Sequence, residues 1–171
     1  QRNGFGQTIY TNIAYPTIDN CMFKRPLVSY NSNETGLYRK YFSLPNDWDV
    51  DDRFVTIMFH AVGPACRFFV NNVYVGMSKD SFTGSEFDIS HANLNFGKNS
   101  KNVLAIEIVR WGDSHFLEDQ DQWWFSGIHR SVELQCRPIL SMQDIRIDTA
   151  LEKPCFSDDS DAHLNVKIGF W

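Results

Sequence analysis

The sequence predicts an all-β fold arranged as a two-sheet sandwich or jelly roll. Short apolar runs alternate with turn signals along the whole chain, and nowhere do apolar residues recur at the three-and-four spacing of a helix for long enough to make one. Aromatic residues make up 15% of the 171 residues, including 14 Phe, and rings of this kind fit a pleated, half-buried surface. Many short strands at roughly 8–12-residue spacing favour a sandwich over a closed barrel.

Taken in order, the first strand runs from Leu37 to Leu44, with Leu37, Arg39, Tyr41 and Ser43 opposite Tyr38, Lys40, Phe42 and Leu44, and is closed by Pro45-Asn46-Asp47. Arg53 to Val62 is mostly apolar and ends at Gly63-Pro64, as expected for a strand covered on both faces or at a sheet centre. Cys66 to Val70 and Val73 to Gly76 flank Asn71-Asn72, a two-residue link that suits the positive φ angles of a tight hairpin. A short strand is expected within Ser85 to Ser90, a central one at Val103 to Val109, and one with a single buried face (Val132, Leu134, Cys136) stopping before Pro138.

Beyond Pro138 the alternation restarts at Ile145 and Ile147, crosses an acidic loop at Ser157 to Asp161, and resumes at Leu164, Val166, Ile168 and Phe170. Two strands alone are marginal, so residues 139–171 are expected to begin a second β-domain, with residues 1–138 forming the first.

A net charge of -5 and a pI near 5.4 provide no basic stripe for phosphates, so neither nucleic acid nor an anionic membrane is expected as a partner. No run of about 18 apolar residues could span a bilayer. Residues 1–7 lack the pattern of a signal peptide, which leaves the compartment open. Cys21, Cys66, Cys136 and Cys155 show no Cys-x-x-Cys spacing and read as reduced core thiols. Asn33-Glu34-Thr35 is a glycosylation sequon, a short pattern that arises often by chance.

The densest chemistry lies in Arg110 to Arg130, where Asp113, Glu118, Asp119 and Asp121 sit among Trp111, Phe116, Trp123, Trp124 and Phe125. Carboxylates beside indoles suit sugar recognition, since ionised oxygens accept strong hydrogen bonds from hydroxyls while an aromatic face covers apolar C–H groups. The competing reading has solvated acids on a loop whose aromatics plug the sandwich. Glu118, Asp119 and Asp121 could also offer hard oxygens to Ca²⁺, Mg²⁺ or Na⁺, with His115 and His129 as further donors, although the spacing matches neither an EF-hand nor a zinc site. His60, His91 and His163 have no evident partners. Glycoside hydrolysis needs two opposed carboxyls, and one short loop supplies no rigid pair, so no catalytic residue is expected in this chain.

Ile9-Tyr10-Thr11-Asn12 with Tyr15-Pro16, Thr35-Gly36-Leu37-Tyr38-Arg39, Val70-Asn71-Asn72, Asp80-Ser81, Ser85-Glu86-Phe87-Asp88-Ile89, Gly97-Lys98-Asn99, Leu117-Glu118-Asp119-Gln120-Asp121 and Ser126-Gly127-Ile128 follow one another in order. In these motifs, over nearly its whole length, the sequence resembles the β-galactosidases of glycoside hydrolase family 2 in their sugar-binding, galactose-binding-like jelly-roll domain. It implies that Asp121 meets the galactosyl 6-hydroxyl and a bound Na⁺, and that Asn12, with Ile13 adjoining, approaches the sugar from the same side. It further implies that both catalytic glutamates, with Mg²⁺, belong to a later (β/α)₈ barrel, that the full-length enzyme is a homo-oligomer, and that residues 139–171 open an immunoglobulin-like domain. The family's jelly roll begins with strands before Ile9, so the chain is expected to start inside one domain and end inside the next. Phe82, Gly84, Trp124 and Ser131 depart from the family pattern. A stand-alone galactose-binding lectin and a purely structural sandwich are the alternatives.

Overall fold

A computed structural model of the chain describes residues 6, 8–10, 33–80, 82–118, 121–151 and 162–170, with backbone alone at 115–116. Its strands are β1 (Thr35–Phe42), β2 (Arg53–Phe59), β3 (Val62–Gly63), β4 (Ala65–Val70), β5 (Val73–Ser78), β6 (Ser85–Asp88), β7 (Asn102–Val109), β8 (Gly127–Ile128), β9 (Val132–Pro138), β10 (Met142–Leu151) and β11 (Ala162–Phe170). The other regular elements among the described residues are two 3-10 turns, Asn46–Trp48 and Asp113–Phe116, so the expected all-β class is what the chain adopts.

A four-stranded sheet runs β1-β7-β4-β5 and a three-stranded sheet runs β6-β2-β9, with every neighbouring pair antiparallel. β7 is interior and β2 is the middle strand of its sheet, as their apolar runs predict. Leu104, Ile106 and Ile108 alternate inward from β7, and Val55, Ile57 and Phe59 do so from β2, which gives a core of interdigitated inner faces. At its centre Phe59 of one sheet stacks on Phe68 of the other with ring centroids 4.3 Å apart, and Phe87 packs against Phe68 at 4.8 Å. Burying each of these rings contributes about 1.5–3 kcal/mol. Gly76 makes room for them: a Cβ there would come within 2.6 Å of the Phe87 ring.

Several boundaries differ from expectation. β1 begins at Thr35 and stops at Phe42, while Leu44 lies outside it, fully buried and bridged to Phe96. Its Tyr38 and Phe42 lie opposite the inward residues Ile106 and Asn102 of β7, whereas Leu37 remains 81% exposed. The run from Arg53 breaks at His60-Ala61 because the chain leaves one sheet there, and Val62–Gly63 pairs with β8 in a ladder of its own. β9 continues through Pro138 opposite Arg53, which an edge strand allows because the missing N–H need not be paired.

The β4–β5 hairpin turns at Asn71 and Asn72 with φ of 47° and 66°, the positive values expected. The Asn71 side chain donates to the carbonyls of Ala92 and Asn93 and to Asn102 Oδ1, and accepts from Val103 N. Fully buried Asn102 in turn accepts from Asn95 N and donates to Asn95 O, so three asparagines tie the hairpin to the loop before β7. β10 and β11 pair with each other in a separate two-stranded sheet.

Candidate functional site

The loop leaving β7 is anchored at its start by two residues that precede β1. Asn33 donates from Nδ2 to Trp111 O at 2.8 Å and accepts from Trp111 N at 2.9 Å, and Arg110 pairs with Glu34 at 2.7 Å. The sequon asparagine thus has its amide committed to a backbone clamp. Trp111 is only 7% exposed, so this ring does plug the sandwich, and it tilts against Trp124 with centroids 5.8 Å apart. Further along, Trp124 N donates to Ile9 O at 2.7 Å, an isolated bridge that holds the segment around Ile9 beside the loop.

That bridge brings Tyr10 to Asp121, 111 positions away in sequence. The Tyr10 hydroxyl donates to Asp121 Oδ1 at 2.5 Å, within the range of a charge-assisted O–H···O⁻ bond. The carboxylate accepting its proton, followed by partial desolvation and the nearby negative charge, raises the Tyr10 pKa above its ordinary 10.0. Trp123 packs against the Tyr10 ring at 5.6 Å, and both rings are about half exposed, as is consistent with a surface available to a ligand. Tyr10, Asp121 and Trp123 therefore form one open polar-aromatic patch. Asn12, Ile13 and Asp119 lie outside the described residues, as do Cys21 and Cys155.

The other acids of the loop are placed differently. Asp113 pairs with Lys79 at 2.8 Å, and that hydrogen bond holds its carboxyl below the usual carboxylate range. Glu118 follows the exposed Leu117 after the 3-10 segment and is half-buried. Among the described residues no group of three or more His, Cys, Asp or Glu converges on a point. Asp121 fits Na⁺ as a single hard-oxygen ligand, and an ion held there would take its remaining ligands from other groups.

His129 lies between Phe82 and Phe125, with centroids 5.1 and 5.9 Å away, and its buried Nε2 has no hydrogen-bond partner among the described residues. Burial first and the Arg130 charge second push its pKa below 6.5. His60, expected to be without partners, instead has its Nε2 3.1 Å from Glu133 Oε1, as the β2–β9 register places Met58 opposite Glu133 and His60 two residues further on. Cys66 is buried and Cys136 partly so, both as free thiols, and burial pushes the Cys66 pKa up to about 12.

A β-sandwich carrying an exposed carboxylate beside two exposed aromatic rings has a form suited to sugar binding. The chain belongs to the family described as glycosyl hydrolases family 2, sugar binding domain, which its residues 1–138 match. It is 41% identical to a β-galactosidase of Psychromonas ingrahamii over 94% of this chain and 14% of that protein. A β-galactosidase of Vibrio cholerae is 38% identical over 89% of this chain and 14% of its own length. One of Kluyveromyces lactis is 35% identical over 96% and 15%. The chain thus spans about one-seventh of the length of these relatives. A solved β-glucuronidase of Ruminococcus gnavus superposes with a TM-score of 0.61 at 17% identity, covering 80% of this chain and 24% of that one, which is a likeness of fold.

Proposed function

We propose that the chain is the galactose-side accessory segment of a retaining β-galactosidase, acting on terminal β-D-galactosides together with a (β/α)₈ barrel elsewhere in the parent polypeptide. In this reading residues 1–138 form the sugar-binding jelly roll and residues 139–171 open an immunoglobulin-like domain. Asp121 accepts from the galactosyl 6-hydroxyl and serves as one ligand to Na⁺, and Asn12 approaches the sugar beside it. The two catalytic carboxyls, which a retaining mechanism places about 5–5.5 Å apart, and the Mg²⁺ site belong to the barrel. The observation that carries the reading is the identity of 41% to a β-galactosidase across 94% of this chain. The open patch of Asp121, Tyr10 and Trp123 supports it, because it offers a charged acceptor beside exposed rings.

The test is made in the full-length enzyme. Asp121→Asn keeps the shape of the side chain and removes its charge, and losing one charge-assisted contact costs about 1.5–3 kcal/mol, roughly ten- to a hundredfold in kcat/KM. Asp119→Asn is expected to do less. If Asp121→Asn leaves kcat/KM and its Na⁺ response unchanged while Asp119→Asn impairs both, the assignment of Asp121 is wrong.

A further inference from the structure

We infer that Tyr10 is a positioning residue of the galactose site, its hydroxyl holding one oxygen of Asp121 so that the other is presented to the sugar and its ion. The inference rests on the reading of Asp121 given above and adds a residue to which that reading assigns no role. Asp121 is exposed on a loop, and a free carboxylate there would sample several rotamers, each of which must be frozen when a ligand binds. The 2.5 Å bond from Tyr10 fixes Oδ1 in advance.

Tyr10 is itself located from two directions. The Trp124 N–H bonded to Ile9 O fixes the adjoining backbone, and the Trp123 ring packs against the phenol at 5.6 Å. A carboxylate supported by a residue whose own placement is constrained is a preorganised acceptor, and preorganisation appears in binding affinity as ordering that is not repeated when the ligand arrives. A bond made only to hold the loop together would have a different signature, since it would support the fold whether or not Asp121 carries its charge.

The experiment is a double-mutant cycle in the full-length enzyme with Tyr10→Phe, Asp121→Asn and the double variant. Binding of a non-hydrolysed thiogalactoside is read by calorimetry, the Na⁺ dependence of that binding by titration, and kcat and KM with a chromogenic galactoside. The Phe side chain retains the packing on Trp123, so the thermal midpoint is expected to change little. Tyr10→Phe is expected to weaken thiogalactoside binding about three- to tenfold, to raise the Na⁺ concentration needed for half-maximal binding, and to raise KM more than it lowers kcat. In the Asp121→Asn background the same change is expected to cost less than about twofold. If Asp121→Asn weakens binding and Tyr10→Phe does not, or if the Tyr10→Phe effect is equally large in both backgrounds, the positioning role is overturned while the reading of Asp121 stands. If Asp121→Asn is itself without effect on binding, the reading of Asp121 falls and the role of Tyr10 falls with it.

Discussion

Individual side chains do work in this molecule that their local sequence only partly reveals. Asn71-Asn72 is legible as a hairpin turn because asparagine tolerates positive φ, yet the larger contribution comes from the Asn71 amide, which bonds to residues 21 to 32 positions away. Asn102 is the buried hub of that network. Asn102→Ala removes the bonds from fully buried Asn102 to half-buried Asn71 and to exposed Asn95 and is expected to destabilise the sandwich by about 1–3 kcal/mol in urea unfolding. An exposed-site substitution such as Leu37→Thr is expected to stay within about 0.5 kcal/mol. His129 provides a pH-dependent counterpart. Its folded pKa lies below the unfolded 6.5, so the unfolded chain binds the extra proton first, and the contribution of this residue to stability is present above pH 6.5 and declines as pH falls below it. His129→Leu is therefore expected to flatten the pH dependence of the thermal midpoint below about pH 6.5. An unchanged slope would place the titration elsewhere. Neither the long-range asparagine contacts nor the Phe82 and Phe125 neighbours of His129 leave a mark in sequence spacing, because tertiary approach creates them.

At the level of elements, the Asn71-Asn72 turn located β4 and β5, the apolar run from Val103 located β7, and period-two alternation located the β10–β11 pair. It could not show that the apolar run from Arg53 changes sheets at His60-Ala61, because residues buried in either ladder are apolar alike. The β10–β11 hairpin carries the same alternation with a different outcome. Ile145 lies opposite Ile168 and Ile147 opposite Val166, with Leu164 and Phe170 on the same face, and all of them are exposed. A two-stranded sheet with an uncovered apolar face contributes little to its own stability, and Ile139 N already completes the sandwich by donating to Asp52 O at 2.7 Å. Truncation after Leu140 is expected to leave the thermal midpoint within about 2 °C, no more than the 2–4 °C that a change of 1 kcal/mol produces in a domain of this size range, and to reduce aggregation and binding of a hydrophobic dye. A drop of 5 °C or more would show that the hairpin supports the sandwich.

For the molecule as a whole, the fold was legible from physics, whereas the assignment of Asn12 and Asp121 to a sugar site came mainly from resemblance. Asp121 among indoles already suggested a sugar contact, but its sequence neighbours also suit solvated acids, and the Ile9–Trp124 bridge that brings it to Tyr10 leaves no mark in them. What the chain can do alone follows from that geometry. Retaining hydrolysis needs a nucleophile and an acid/base held rigidly about 5–5.5 Å apart. Among the described residues of the loop Asp113 is engaged by Lys79, and Asp121, held by Tyr10, lies at an exposed patch and belongs to no group of three or more acids, histidines or cysteines. The isolated chain is therefore expected to show no turnover of a chromogenic galactoside, and turnover abolished by a substitution within residues 110–130 would overturn this. Binding is a separate quantity. The patch offers a sugar one charged acceptor and the faces of Tyr10 and Trp123, and a few exposed contacts barely exceed the cost of immobilising a small ligand, so galactose is expected to bind no tighter than about millimolar. Chemical-shift titration of the isolated chain would measure this, with shifts centred on Tyr10, Asp121 and Trp123. Saturable micromolar binding by calorimetry would instead mean that the chain holds a complete pocket, and would favour a lectin over an accessory segment.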